Sequence, residues 1–193
     1  RVWDETGKES CVSDDLTVSV IPDAGIHVEL LWDTPNGPEQ AGMAPQASGD
    51  LDLHFVHELA TGPDEDGDGE PDGWFGEPFD CFWANPHPEW GSLDPSIDDN
   101  PALDLYDAND TEPEILSLQI PEEGTSYKVG VHYWNDHDFG KSLATVRIYI
   151  YGQLVFEVPQ KELLDKDIWE VAKISWPSAQ TTLSINDSGG YKV

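Results

Sequence analysis

Residues 49–76 read GDLDLHFVHELATGPDEDGDGEPDGWFG and hold two patterns end to end. In the first part polar and apolar residues alternate. This is the period of an extended chain, so Leu51, Leu53 and Phe55 point one way while Asp50, Asp52 and His54 point the other. One face is suited to packing and the other carries charge. The same period returns where Tyr127, Val129, Val131 and Tyr133 alternate with Lys128, Gly130 and His132, and where Val146, Ile148 and Ile150 alternate with Arg147, Tyr149 and Tyr151. Strands are expected at 16–21, 26–32, 51–58, 115–120, 126–134, 144–151, 153–158, 168–176 and 181–185. Gly152, between two of them in IYIYGQLVFEV, predicts a tight hairpin. A 3.6-residue period is nearly absent, and only 160–165 is suited to a helical turn. Short strands punctuated by Gly and Pro predict an all-β, antiparallel β-sandwich of the jelly-roll or Ig-like kind, as one domain over 1–193.

The second part of the stretch is the densest acidic cluster in the chain. Asp64, Asp66 and Asp68 fall on alternate positions, followed by Gly69 and Asp72, which is the D-x-D-x-D-G spacing of calcium loops. A hard divalent cation takes six to eight oxygens at roughly 2.3 to 2.6 Å, and a curled loop delivers them from alternate residues. Asp64, Asp66, Asp68 and Asp72 would supply carboxylates and Glu70 its carbonyl. Phe75 stands where an EF-hand has a bidentate glutamate, and no helices flank the loop. A weak site, with affinity roughly 10⁻⁴ to 10⁻³ M, is therefore expected at 61–78.

The 193 residues suffice for one substantial core, and eight Trp, six Tyr and six Phe are too many for a disordered acidic tail. Acidic residues number 39 against nine basic ones, giving a formal net charge of −30 that repels nucleic-acid phosphates and anionic lipid. Bound cations would offset that self-repulsion. A saline habitat that screens it is the competing explanation for the acidity. Cys11 and Cys81 are expected to form a disulfide, worth roughly 4 kcal/mol in the loop-closure picture. No apolar run is long enough to span a membrane. Secretion or display at the cell surface is expected, with any export leader already removed. Three connections, 33–49, 60–78 and 84–102, are long enough to carry function.

A second acidic segment, DDNPALDLYDANDTEPE at 98–114, brings Asp104, Asp107, Asn109, Asp110 and Glu114 together. If its strand pairs near Asp50 and Asp52, carboxylates from two segments would converge on one ion. A charged loop at the sandwich edge is the alternative. The blocks DLDLH at 50–54, LDLYD at 103–107 running to Pro113 and Glu114, and YKVGVHY at 127–133 resemble the YfaP-like domain family of bacterial secreted and surface proteins. DCFWANPHPEWG at 80–91 is similar to its myxobacterial-type variants. The resemblance implies an all-β sandwich, export, no established catalysis and a divalent cation site. By position it would place Asp50, Asp52, Asp104, Asp107 and Glu114 at the family's acidic positions. Tyr106 departs from the pattern where an acid is usual, and Asp110 and Glu112 stand where the family has glycines. The 64–72 loop is not part of that pattern.

Sequence signals for catalysis are weak. His27, His54, His57, His87, His132 and His137 form no HExxH pair, and no GxSxG or phosphate-binding glycine loop is present. His54 and His132 are expected to be structural. A carboxylate pair acting as a glycosidase is the one enzymatic reading. Trp74, Trp83 and Trp90 lie in or beside acidic loops and would suit stacking on sugars, although they could equally plug the ends of the sandwich. The termini, with Val2, Trp3, Tyr191 and Val193, could exchange strands in self-assembly. The leading expectation is a non-enzymatic calcium-binding module for adhesion, ligand display or surface assembly. Lectin-like, self-assembling and glycosidase readings stand as alternatives.

Overall fold

The computed structural model describes residues 23–37, 48–65, 67–105, 113–179, 182–187 and 191–192. Among the described residues there are eleven strands and no helix: β1 (Ile26–Asp33), β2 (Asp50–His57), β3 (Asp80–Cys81), β4 (Pro101–Leu105), β5 (Glu114–Leu118), β6 (Ser126–Asn135), β7 (Ser142–Ile150), β8 (Gln153–Leu163), β9 (Asp167–Ser175), β10 (Ser184–Asp187) and β11 (Tyr191–Lys192). One sheet runs β4-β5-β1-β7-β8. The other runs β10-β9-β6-β2-β3, with β11 also on β9. All pairings are antiparallel. The fold is the expected β-sandwich.

Alternation decides which side chains meet between the sheets. Ile26, Val28 and Leu30 of β1, with Ala144, Val146 and Ile148 of β7, face Leu51, Leu53 and Phe55 of β2 and Tyr127, Val129, Val131 and Tyr133 of β6. All are essentially inaccessible to solvent. Tyr151 and Gly152, with φ of 49° and 73°, form the tight turn of the predicted β7–β8 hairpin.

Several boundaries differ from expectation. The helical turn expected at 160–165 is absent because β8 continues to Leu163. Pro159 and Gln160 form a bulge opposite Thr145, whose hydroxyl accepts the Gln160 amide at 3.1 Å. Lacking an amide hydrogen, proline is tolerated at such a bulge on an edge strand. β4 begins at the end of the expected 84–102 loop, where Leu103 packs inward. Tyr191 and Lys192 pair with Ile168 and Asp167 of β9, so this part of the C-terminal segment already has a partner strand. The strand expected at 16–21, and the N-terminal segment 1–10, lie outside the described residues.

A chain of hydroxyls ties one end of the sandwich together. The Gly49 amide donates to Thr34 Oγ1 at 3.0 Å, and Thr34 Oγ1 is 2.7 Å from Ser142 Oγ. Ser142 donates to Tyr133 at 3.0 Å, and Tyr133 donates to the Gly140 carbonyl at 2.6 Å. Because Ser142 gives its proton to Tyr133, Thr34 must be the donor to Ser142. Every proton in the series therefore points the same way. Gly49 has no room for a side chain, since a Cβ would lie 2.2 Å from the Tyr133 hydroxyl. Tyr133→Phe should cost roughly 1–3 kcal/mol by stranding buried polar groups. Urea denaturation would measure the loss, and an unchanged midpoint would show that the chain contributes nothing.

Candidate functional site

The outer face of the second sheet carries Asp52 and His54 on β2, Lys128, Gly130 and His132 on β6, and Ile168 and Glu170 on β9. The segment between β2 and the start of β4 folds back over this face. Trp74 is fully buried there, over Gly130, where a Cβ would come within 2.6 Å of its ring carbons. Lys128 Nζ lies 4.8 Å from the Trp74 ring centroid and 3.5 Å from Glu170, and it also donates to the Asp72 carbonyl. Phe75 meets His54 and His132 edge-on at 4.8 and 5.4 Å, and Phe82 stacks on His54 at 5.0 Å. Asp80, with no exposed surface, accepts from His54 Nδ1 and from the Phe75 amide, both at 2.7 Å. A carboxylate can only accept here, so the His54 proton is on Nδ1. His54 Nε2 and His132 Nδ1 are buried and, among the described residues, have no hydrogen-bond partner.

Burial sets the titration of this layer. His132 is pushed down to about 4, mainly by desolvation, then by the nearby His54 and Lys166 charges. Asp52 is pushed up to about 7, first by desolvation and then by Asp50, with His54 opposing. Asp50, half-buried at the start of β2, is raised by desolvation against His137 and Lys166.

The acidic loop projects from this anchored base. Asp64 accepts the amides of Gly67 at 2.7 Å and Gly69 at 2.9 Å through its two carboxylate oxygens. Asp68 accepts the Glu70 amide at 2.8 Å. Asp72, nearly buried, accepts the Glu65 amide at 2.6 Å and returns its own amide to the Pro63 carbonyl at 3.0 Å. Gly67 and Gly69, with φ of 79° and 98°, make the turns that a side chain would strain. Asp66 lies outside the described residues. The chain therefore closes into a loop with carboxylates gathered on backbone amides. Among the described residues, no three His, Cys, Asp or Glu side chains come together as a metal-holding group.

The other predicted ligands separate. Asp50 and Asp52 sit on β2, whereas Asp104 is exposed on β4 in the opposite sheet. Glu114 does reach β2, but its Oε2 accepts the Leu53 backbone amide at 2.6 Å, beside a β3 that pairs only with Phe55 and Val56. It bridges the two sheets. Asp107 and Asn109 lie outside the described residues. Of the tryptophans, Trp74 is in the core and has no face for a sugar. Trp90 is partly buried on Phe55 and Tyr127 with Nε1 on the Pro78 carbonyl at 2.6 Å, and Trp83 is 47% exposed. The expected Cys11–Cys81 disulfide is not formed. Cys81 is a free thiol in the core, where burial raises its pKa, and its Sγ donates to the Pro86 carbonyl at 3.4 Å. Cys11 lies outside the described residues.

The imidazole and aromatic layer was not foreseen as a unit. Its signal was the alternation that puts His54 beside Asp52 and His132 on the polar faces of β2 and β6, together with the aromatic density of 74–83. The chain matches no protein-family model, no curated protein and no solved structure.

Two outcomes follow from this geometry. Gly130→Ala should push Trp74 off the sheet, costing roughly 1–3 kcal/mol and speeding amide exchange at residues 67–72. Unchanged exchange there would show that Trp74 does not anchor the loop. Asp52, whose folded value of about 7 exceeds the ordinary 3.8, contributes stability that is present below 3.8 and lost as pH rises through about 7. His132, lowered from 6.5 to about 4, contributes stability that is present above 6.5 and lost as pH falls through about 4. Asp52→Asn should therefore stabilise the protein at pH 8 by an amount on the order of 2 kcal/mol. The advantage should fade toward pH 4, and urea melts across that range in chelator would measure it.

Proposed function

We propose that this chain is a non-enzymatic calcium-binding β-sandwich module, secreted or displayed at a cell surface, that serves in adhesion, ligand display or assembly. The observation carrying the reading is the 64–72 loop. Its D-x-D-x-D-G spacing coincides with a backbone already curled around Asp64, which accepts the amides three and five residues on. In such loops the first aspartate shapes the turn with one set of lone pairs and offers another to the ion. Asp64, Asp66, Asp68 and Asp72, with the Glu70 carbonyl, are the oxygens that would hold calcium, a donor set suited to a hard cation. An ion there would relieve repulsion among these carboxylates in a chain of formal charge −30. Its stabilising effect follows RT ln(1 + [L]/Kd). The likeness of residues 50–54, 103–114 and 127–133 to YfaP-like domains supports the extracellular setting as part of the same proposal.

Thermal melts separate a bound ion from general screening. Calcium should begin to raise Tm at roughly 10⁻⁴ to 10⁻³ M and continue to raise it logarithmically above that, and at ten times Kd the gain should be about 1.4 kcal/mol. Chelator should reverse the gain, and Asp64→Asn with Asp68→Asn should abolish it. An equal rise with sodium chloride at matched ionic strength would replace calcium binding with adaptation to a saline habitat.

A further inference from the structure

A cavity of about 450 Å³ opens between the 90–99 loop and the 120–123 turn, lined by residues that include His57, Trp90, Asp99, Glu122, Glu123 and Tyr127. No residue of the 64–72 loop contributes to it. One wall is aromatic. Trp90 and Tyr127 are nearly parallel, at 11°, with Phe55 stacked on both, and His57 meets them at 71° and 79°. The opposite character comes from Asp99, Glu122 and Glu123, and the lining contains no lysine or arginine.

These parts are held in place. The Glu122 amide donates to the Tyr127 hydroxyl at 2.8 Å, fixing the turn to the aromatic wall. Asn100 Oδ1 takes the successive amides of Trp90 and Gly91 at 2.8 and 2.9 Å, which closes the base of the 90–99 loop. His57 Nδ1 accepts the Leu59 amide at 3.1 Å, so in the neutral ring the proton is on Nε2, 3.5 Å from Glu122 Oε2. Asp99 Oδ2 accepts the Ser92 amide at 2.8 Å, and its carboxylate packs against Gly91, where a Cβ would meet it.

The geometry points to a binding site for an organic cation, an alkylammonium or guanidinium group, at this end of the sandwich. Three carboxylates with no lysine or arginine in the lining attract positive charge. Aromatic walls favour a cation with a weakly hydrated or aliphatic body over a bare metal ion. A neutral sugar could stack on the same wall but would leave the carboxylate charge uncompensated.

Calorimetric titration at 150 mM sodium chloride with agmatine, butylamine and spermidine, with butanol and glucose as neutral counterparts, tests the assignment. The amines and agmatine should bind saturably, shift the Trp90 indole N–H resonance and compete with one another. The neutral compounds should do neither. Glu122→Gln with Glu123→Gln, both at the cavity rim, should weaken binding about ten-fold or more. An unchanged Tm in the rim variant would show that the loss is not unfolding, and the calcium response of the 64–72 loop should persist in it. Cation binding undiminished in the rim variant, no binding beyond that of sodium, or binding of glucose in preference to the cations would each overturn the assignment.

Discussion

β2 must be buried on both faces, yet only one of its faces is apolar. Leu51, Leu53 and Phe55 enter the sandwich core, while Asp52 and His54 are turned outward and are nonetheless inaccessible to water. Buried polar groups demand partners or neutrality. The chain meets this demand by folding residues 72–82 back over the sheet and laying Trp74, Phe75 and Phe82 across the imidazoles, with Asp80 accepting the His54 Nδ1 hydrogen bond. The long connection after β2 is thus a lid on the sheet as well as a support for the acidic loop. The position of that loop depends on contacts made at Gly130 and Lys128, in a strand far along the chain.

The few cations are distributed accordingly. Lys128, Lys161 and Lys166 each lie over an indole ring, and Arg147 stands between Glu29 and Glu157 at 3.8 and 3.5 Å. Such pairs are partly exposed and individually weak. They cannot neutralise a chain with 39 acids, and among the described residues the 64–72 loop and the cavity rim at Glu122 and Glu123 are dense in acidic side chains. The loop offers only hard oxygens, whereas the cavity offers oxygens beside rings. Those chemistries suit different cations.

Much of the sandwich was legible from period-two alternation, since a strand facing a core cannot slip by one residue without inverting its faces. β1, β2, β6, β7 and β9 were readable for that reason, and the β7–β8 turn from Gly152. β3 has two residues and β4 starts on a proline, too little pattern to register. β8 runs past its expected end at Val158 because an edge strand absorbs Pro159 as a bulge. At the site, the spacing of Asp64, Asp68 and Asp72 identified a curled loop. The role of Glu114 was not readable, because its partner is a backbone amide on the other sheet, and a one-dimensional search for carboxylates counts side chains only. Trp74 misled for a similar reason: its proximity to acids along the chain said nothing of Gly130, whose missing side chain receives its ring.

The hydroxyl series from Gly49 to Gly140 has an orientation fixed at both ends, by an amide that can only give and a carbonyl that can only take. Thr34 and Gly49, which flank the segment between β1 and β2, are joined within it, and Thr34 also accepts the Gly37 amide through its carbonyl. The two sheets are thereby sutured where β1 ends and β2 begins. Because each of the three hydroxyls both gives and takes, losing any one of them cuts the row in two and leaves a proton or a lone pair unmatched at the cut.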